Sequence, residues 1–444
     1  MLKARPSRIA IAVGIALASC ASMAQSTSEA ELARKVDQLA AELAEVKAQL
    51  AAMKEKAAAT AAAPAAPATP AQAATAAPPA AGGGQYALAP ARPPSAEPDT
   101  VLTSYGELNY NRPRRASQDA QADLRRFVLG FQHRFDERTR IATEIEVEHA
   151  VSSADDAGEV EIEQAWIERD LTPRWSARAG LFLMPVGLLN ENHEPTAYYG
   201  VERNFVETAI IPSTWREGGV QAIGRFDNGI TLQAGVSTGF DLNKWDPAST
   251  EGAESPLGAI HQELSLARAR NMAVFGALNW RGIPGLQLGG SVFTGKATQG
   301  QTTTDSRITL WDLHARWTPE RWDLAALYAR GSISNTAALN MPLVGNQTLI
   351  PKSFDGGYLQ AAYRVWSHND YALWPFVRVE AFNTARSFAD LGAGLTPDRA
   401  PTERVVTVGA NFQLTRGIVL KADYQRFREN RNADRFDLGL GWSF

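Results

Sequence analysis

The sequence predicts an all-β protein: a 16-stranded antiparallel transmembrane β-barrel, preceded by an N-terminal α-helical coiled coil. Three observations carry this. From Val101 to Phe444, apolar residues recur at every second position in segments of about ten, the period and length of a strand that crosses a bilayer with one face in lipid. The connections alternate between short polar turns and long stretches, as hairpins around a closed wall require. Past the N-terminus no apolar run is long enough for a spanning helix.

Residues 1–24 read as a signal peptide. Lys3, Arg5 and Arg8 precede an apolar run from Ile9 to Ala18, and Ser22-Met23-Ala24 offers small residues for cleavage after Ala24. Leu17-Ala18-Ser19-Cys20 also has the form of a lipobox, which would make Cys20 a lipidated terminus.

Residues 25–57 carry a seam at Leu32, Val36, Leu39, Leu43, Val46, Leu50 and Met53, spaced alternately by four and three. A strict 3.5-residue repeat among good helix formers predicts self-association into a coiled coil rather than packing on a domain of its own chain. Residues 58–100, rich in Ala, Pro and Thr and broken by Gly82-Gly83-Gly84, form no packed core and act as a tether.

The barrel occupies 101–444, with strands expected at 101–110, 123–135, 139–149, 159–169, 175–184, 216–226, 230–239, 271–281, 286–295, 307–317, 322–331, 354–366, 371–382, 403–414, 418–427 and 435–444. Short turns such as Asp136-Glu137-Arg138, Asp227-Asn228-Gly229 and Thr415-Arg416-Gly417 follow the even strands, and long connections such as 185–215 and 240–270 follow the odd ones. In the last segment Phe436, Leu438, Leu440, Trp442 and Phe444 share one face. Trp442 and Phe444 thus form an aromatic terminus suited to an outer-membrane assembly signal. A soluble β-sandwich would hide its alternate face in a core. Here that face carries Arg126, Arg134, Glu144, Glu146, Glu148, Arg178, Arg378 and Glu380, which suits a wide aqueous lumen.

Composition narrows the function further. Lys plus Arg total 44 against 48 Asp plus Glu, a net charge of −4, so nucleic acid is not an expected partner. One cysteine permits no internal disulfide and no CxxC site. The six histidines are scattered, with no G-x-S-x-G or HExxH signature, so no enzyme activity, metal or cofactor is expected. The third long connection, Pro185 to Trp215, mixes Glu191, His193, Glu194, Glu202, Arg203 and Glu207 with apolar Phe205, Ile210 and Ile211. Such a loop must pack on something, and it is expected to fold inward as the constriction. The triplet Glu144, Glu146, Glu148 is expected to face cations that include Arg203.

The layout of exported chain, coiled coil and sixteen-strand barrel resembles the phosphate-selective porin O and P family of Gram-negative outer membranes. The resemblance extends to Gly180-Leu181-Phe182-Leu183-Met184-Pro185-Val186-Gly187, Arg125-Arg126-Phe127 and Trp215-Arg216-Glu217-Gly218-Gly219-Val220. It implies a homotrimeric channel for passive diffusion of small solutes or anions, in some members phosphate guided by an arginine ladder and a lysine cluster. The chain departs from that pattern. Residues 101–444 hold 35 basic and 40 acidic residues, and Lys244, Lys296, Lys352 and Lys421 are their only lysines. A mixed-charge lumen is the expectation. The expected surroundings are outer-membrane lipid, the barrel-assembly machinery and, through the coiled coil, peptidoglycan. The alternative is a non-conducting outer-membrane anchor or adhesin whose coiled coil binds the cell wall.

Overall fold

The computed structural model describes residues 99–444 apart from 152 and 154–156, together with Arg34 and Ala41. The signal peptide, the coiled-coil seam from Leu32 to Met53 and most of the tether lie outside the described residues.

The strands are β1 (Thr100–Pro113), β2 (Gln121–Arg134), β3 (Thr139–Glu148), β4 (Val160–Asp170), β5 (Trp175–Leu183), β6 (Arg216–Arg225), β7 (Ile230–Ser237) and β8 (Ala273–Ile283). They continue with β9 (Leu286–Lys296), β10 (Arg307–Trp317), β11 (Trp322–Ile333), β12 (Ser353–Tyr363), β13 (Tyr371–Ser387), β14 (Glu403–Thr415), β15 (Ile418–Phe427) and β16 (Arg435–Ser443). A short segment, Trp366–His368, pairs with the same strand as Ser353–Tyr363 does and continues β12 past a break at Arg364 and Val365. Each strand pairs antiparallel with its sequence neighbours, and β1 pairs with both β2 and β16, so sixteen strands close into a barrel with no free edge.

The alternation seen in sequence becomes a division between outside and inside. On β3, Ile145 is exposed while Glu144 and Glu146 on either side are buried, and on β13 Val377 and Val379 are exposed while Arg378 and Glu380 are buried. The outer surface is a belt of Leu, Val, Ile and Phe side chains, among them Leu129, Ile167, Val220, Leu313, Leu359 and Val408. A continuous belt of this kind is stable against hydrocarbon and not against water.

One expected boundary is corrected. β13 runs five residues past Phe382, through the polar run Asn383-Thr384-Ala385-Arg386-Ser387, where Ser353 and Ser387 still pair. Hydropathy carries no signal there because the strand has risen above the apolar belt.

Closure is made at the chain's last residues. The Ser104 N–H donates to the Phe444 carbonyl at 3.1 Å and the Phe444 N–H to the Ser104 carbonyl at 2.9 Å, while the Phe444 ring is exposed on the outer face. A chain ending at Ser443 should therefore lose both a lipid-facing aromatic and two seam hydrogen bonds. We expect a several-fold drop in surface-exposed, heat-modifiable barrel, scored by surface labelling and electrophoretic mobility; wild-type levels would refute this role.

Candidate functional site

The connection from Met184 to Trp215 enters the barrel. Its apolar residues explain why: Val186, Val206, Ile210, Ile211 and Trp215 are buried against inward residues of β5, β9 and β12, and each side chain so buried contributes on the order of 1.5–3 kcal/mol. Phe205 stacks on Phe382 at 5.3 Å and meets Phe427 edge-on.

Polar contacts then fasten the loop to walls on all sides of the lumen. The Tyr198 hydroxyl donates to Glu107 Oε2 on β1 at 2.6 Å, and the Val201 N–H to Asp423 Oδ2 on β15 at 2.7 Å. The Phe205 N–H donates to Glu380 Oε2 on β13 at 2.7 Å, and the Gly187 N–H to Asp312 Oδ2 on β10 at 3.2 Å. Gln233 on β7 donates to Glu191 Oε1 at 2.9 Å, and Asn111 on β1 to Glu202 Oε1 at 3.1 Å.

Glu207 is the internal staple of this loop. Its Oε1 accepts from the N–H groups of Leu188 and Leu189 at 2.6 and 2.7 Å, and its Oε2 from Asn204 Nδ2 at 2.8 Å and the Tyr358 hydroxyl at 3.0 Å. Gly187 has φ of 74°, and a Cβ there would collide with Glu207 Oε1, so only glycine lets the chain turn over this carboxylate.

The predicted lining residues group by wall. Arg126 on β2 pairs with Glu107 at 2.8 Å, Arg178 on β5 with Glu168 at 2.7 Å, and Arg378 with Glu380 on its own strand at 3.0 Å. Arg178 also lies over the Trp166 ring, 4.0 Å from its centroid. Arg378 Nη1 holds the Tyr199 carbonyl at 3.1 Å, so that arginine binds wall and loop together. Arg134 and Glu148 are half-buried on the same inward faces, and Glu194 is buried with the loop. Arg203 lies near enough to Glu146 of β3 to interact with it electrostatically but forms no direct salt bridge there among the described residues: its Nη1 donates to Ser213 Oγ and Thr214 Oγ1 at 2.6 and 2.9 Å. Of the four barrel lysines, Lys421 is buried inside, 3.6 Å from the Tyr198 ring centroid.

Beside β3 lies a cluster that the sequence reading missed. Glu163 of β4 is fully buried; its Oε2 accepts from the Tyr105 hydroxyl at 2.6 Å and its Oε1 lies 3.3 Å from His193 Nε2. Tyr105 Oη is also 2.6 Å from His193 Nε2, and His193 Nδ1 is 2.9 Å from the Asn190 carbonyl oxygen. Arg126 Nη2 donates to the His193 carbonyl at 2.5 Å. Burial holds the His193 imidazole below its ordinary pKa against the pull of Glu163, and burial beside Glu107 pushes the Tyr198 phenol up. The signal was present in the sequence: Val160-Glu161-Ile162-Glu163 alternates as β3 does.

The inner face is not uniformly wet. Phe275, Phe293, Ile308, Leu310, Leu327 and Phe354 on β8 to β12 point inward and are buried, packed with Trp215 and with Phe240 of the next long connection. The polar lining expected of the inner face is therefore not continuous around the barrel: along these strands the long connections pack on an apolar wall.

Asp312 and His314 share a face, with His314 Nδ1 2.6 Å from Asp312 Oδ1. The nearby Ser291 hydroxyl donates to Asp312 rather than to the imidazole, and His314 Nε2 faces Asn279 Oδ1 at 2.9 Å. Asp312 thus lies between Ser291 and His314, and the three do not form a serine–histidine relay.

The sixteen-strand antiparallel barrel has a counterpart among solved structures. OmpF of Salmonella typhi, in a complex with daunomycin, superposes with a TM-score of 0.54 at 14% identity over 78% of this chain and 97% of that one. The chain has a porin fold. DcaP, an outer membrane channel of Acinetobacter baumannii, gives a TM-score of 0.49 at 13% identity, with 78% and 97% of the two chains covered. An anion-selective porin from Comamonas acidovorans gives 0.47 at 11%, covering 78% and 100%. In sequence, an uncharacterized protein of Aquifex aeolicus is 27% identical over 354 residues, 77% of this chain and 79% of that one. No protein-family model matches.

Proposed function

We propose that this porin-fold barrel sits in a bacterial outer membrane and conducts small hydrophilic solutes and ions by passive diffusion through the space left beside the 184–215 loop. The observation that carries the reading is that loop itself: hydrogen bonds to β1, β7, β10, β13 and β15 hold it across the lumen, so it sets the cross-section. Glu191 remains exposed and Arg203, Glu148 and Glu202 half-buried, which leaves charges of both signs beside the path. A mixed-charge filter follows, with phosphate as one anion among its solutes rather than a dedicated substrate. A homotrimer joined by the N-terminal coiled coil, with peptidoglycan beneath it and insertion by the barrel-assembly machinery, completes the reading.

The second reading, a non-conducting anchor or adhesin barrel, draws on the apolar packing along β8 to β12. Planar-bilayer recording separates the two, since a plugged anchor shows no unitary current. The same recording tests the filter. Replacing Glu144, Glu146 and Glu148 together with Gln removes the three inward carboxyl groups, spaced about 7 Å apart along one strand. The zero-current potential in a salt gradient should shift toward anion preference, and the shift should shrink at 1 M salt, where the screening length is about 3 Å. An unchanged potential at low salt would show that β3 does not face the ion path.

A further inference from the structure

We propose that Glu144, Glu163 and His193 form a binding site for a divalent transition cation of the Zn²⁺ type, which fastens the lumen loop to the β3–β4 wall. The sequence had suggested no metal, because these residues lie on three different elements and no short motif joins them.

The ligand atoms are already gathered. One carboxylate oxygen from each glutamate and one imidazole nitrogen lie within 4.8 Å of one another, and all three residues are buried. Two ligands about 2.0–2.1 Å from a tetrahedral metal stand roughly 3.3 Å apart. His193 Nε2 and Glu163 Oε1 are separated by 3.3 Å.

The backbone is shaped to bring Glu163 there. Opposite β3, Glu144 pairs with Gln164 and the next residue, Ile145, with Ile162, so Glu163 is the extra residue of a β-bulge. A bulge re-aims one side chain out of the regular alternation. The carboxylate it re-aims is fully buried, and its Oε1 meets no donor at good hydrogen-bond geometry, facing only His193 Nε2 at 3.3 Å and the Glu146 carboxyl, an arrangement that a cation between these groups would satisfy.

The histidine is oriented for the same task. A carbonyl oxygen only accepts, so the 2.9 Å contact with Asn190 places a proton on Nδ1 and leaves Nε2, which faces Tyr105 Oη and Glu163 Oε1, as the nitrogen available to a metal that displaces a proton there. Metal-bound imidazoles are commonly held by such a bond from their other nitrogen. Tyr105 Oη, 2.6 Å from both Nε2 and Glu163 Oε2, closes a fourth side.

The neighbouring guanidinium of Arg126 is occupied beside the cluster, its Nε donating to Glu107 and its Nη2 to the His193 carbonyl.

Metal binding does not depend on whether the barrel conducts, so this inference and the pore reading fail separately. Purified full-length protein, stripped with a chelator and dialysed against Zn²⁺, should retain one ion per chain by elemental analysis, and bound Co²⁺ should show visible absorption of low-symmetry N/O coordination. H193Q and E163Q should each bind at least tenfold more weakly, while H261Q, outside the cluster, should bind as wild type does. Heat-modifiable mobility establishes that each variant is folded; if H193Q fails to fold, E163Q, which removes only one charge, decides. A wild-type chain that retains no metal, because protons alone neutralise the cluster, or an E163Q chain that retains it fully, would overturn the proposal.

Discussion

Replacing Glu207 with alanine should destabilise the lumen loop more than any other single truncation within it. Four donors converge on this buried carboxylate: two backbone N–H groups, the Asn204 amide and the Tyr358 hydroxyl. Hydrogen bonds to a charged group contribute about 1.5–3 kcal/mol each, and donors left buried without partners add to the loss. Because the four share one acceptor, their contributions overlap, and a net cost of about 3–5 kcal/mol is expected. The barrel wall has its own ladder of strand pairs and should remain closed. Two measurements follow: a lower temperature for the loss of heat-modifiable mobility, and greater open-channel current noise with an increased mean conductance. Wild-type values for both would show that the apolar contacts of Ile210, Ile211 and Trp215 hold the loop without the staple.

The second large effect is expected at Arg378. Its side chain is almost fully buried, pairs with Glu380 at 3.0 Å and holds the Tyr199 carbonyl at 3.1 Å. Alanine there would leave Glu380 inside without its cation, and breaking a buried pair from one side typically costs about 3–5 kcal/mol. Glu380 also accepts from the Phe205 N–H, so the loop should loosen with the pair. R378A should lower the denaturant midpoint of the reconstituted barrel and open the segment around Tyr199 to protease. Lysine should rescue little, because one ammonium does not reproduce a fork that spans two sites. The double variant R378A/E380A should be less damaged than R378A alone; equal damage would show that the uncompensated charge is not the cause.

How far the sequence could be read depended on the range of the interaction. Strand positions and closure were legible because lipid on one face imposes alternation over every strand, and that is a local pattern. Inward residues such as Glu144, Glu146 and Arg378 follow from the same rule. The partners of those residues were not legible. Nothing local says that His193 lies against Glu163, that Tyr198 reaches Glu107, or that Arg203 turns to Ser213 and Thr214. Such contacts join residues far apart in the chain, and a loop's path through the lumen decides them. The apolar wall of β8 to β12 was missed for a related reason: locally, an inward Phe293 or Phe354 carries no mark that separates it from a lipid-facing aromatic. Only the presence of Trp215 and Phe240 on their inner side explains them.

The seam between β1 and β16 also constrains the order of folding. Residues 104 and 444 are bonded neighbours, so the pairing that removes both open edges is the most non-local contact in the barrel. Fourteen intervening strands must already be placed before it forms, and loop-closure entropy makes such a contact slow. Through that delay two unpaired edges and an apolar belt stay available to other chains, the conditions under which strands aggregate. The finished barrel is sealed, while its precursor is a sheet with two adhesive margins. Survival of the chain before closure thus depends on keeping those margins covered.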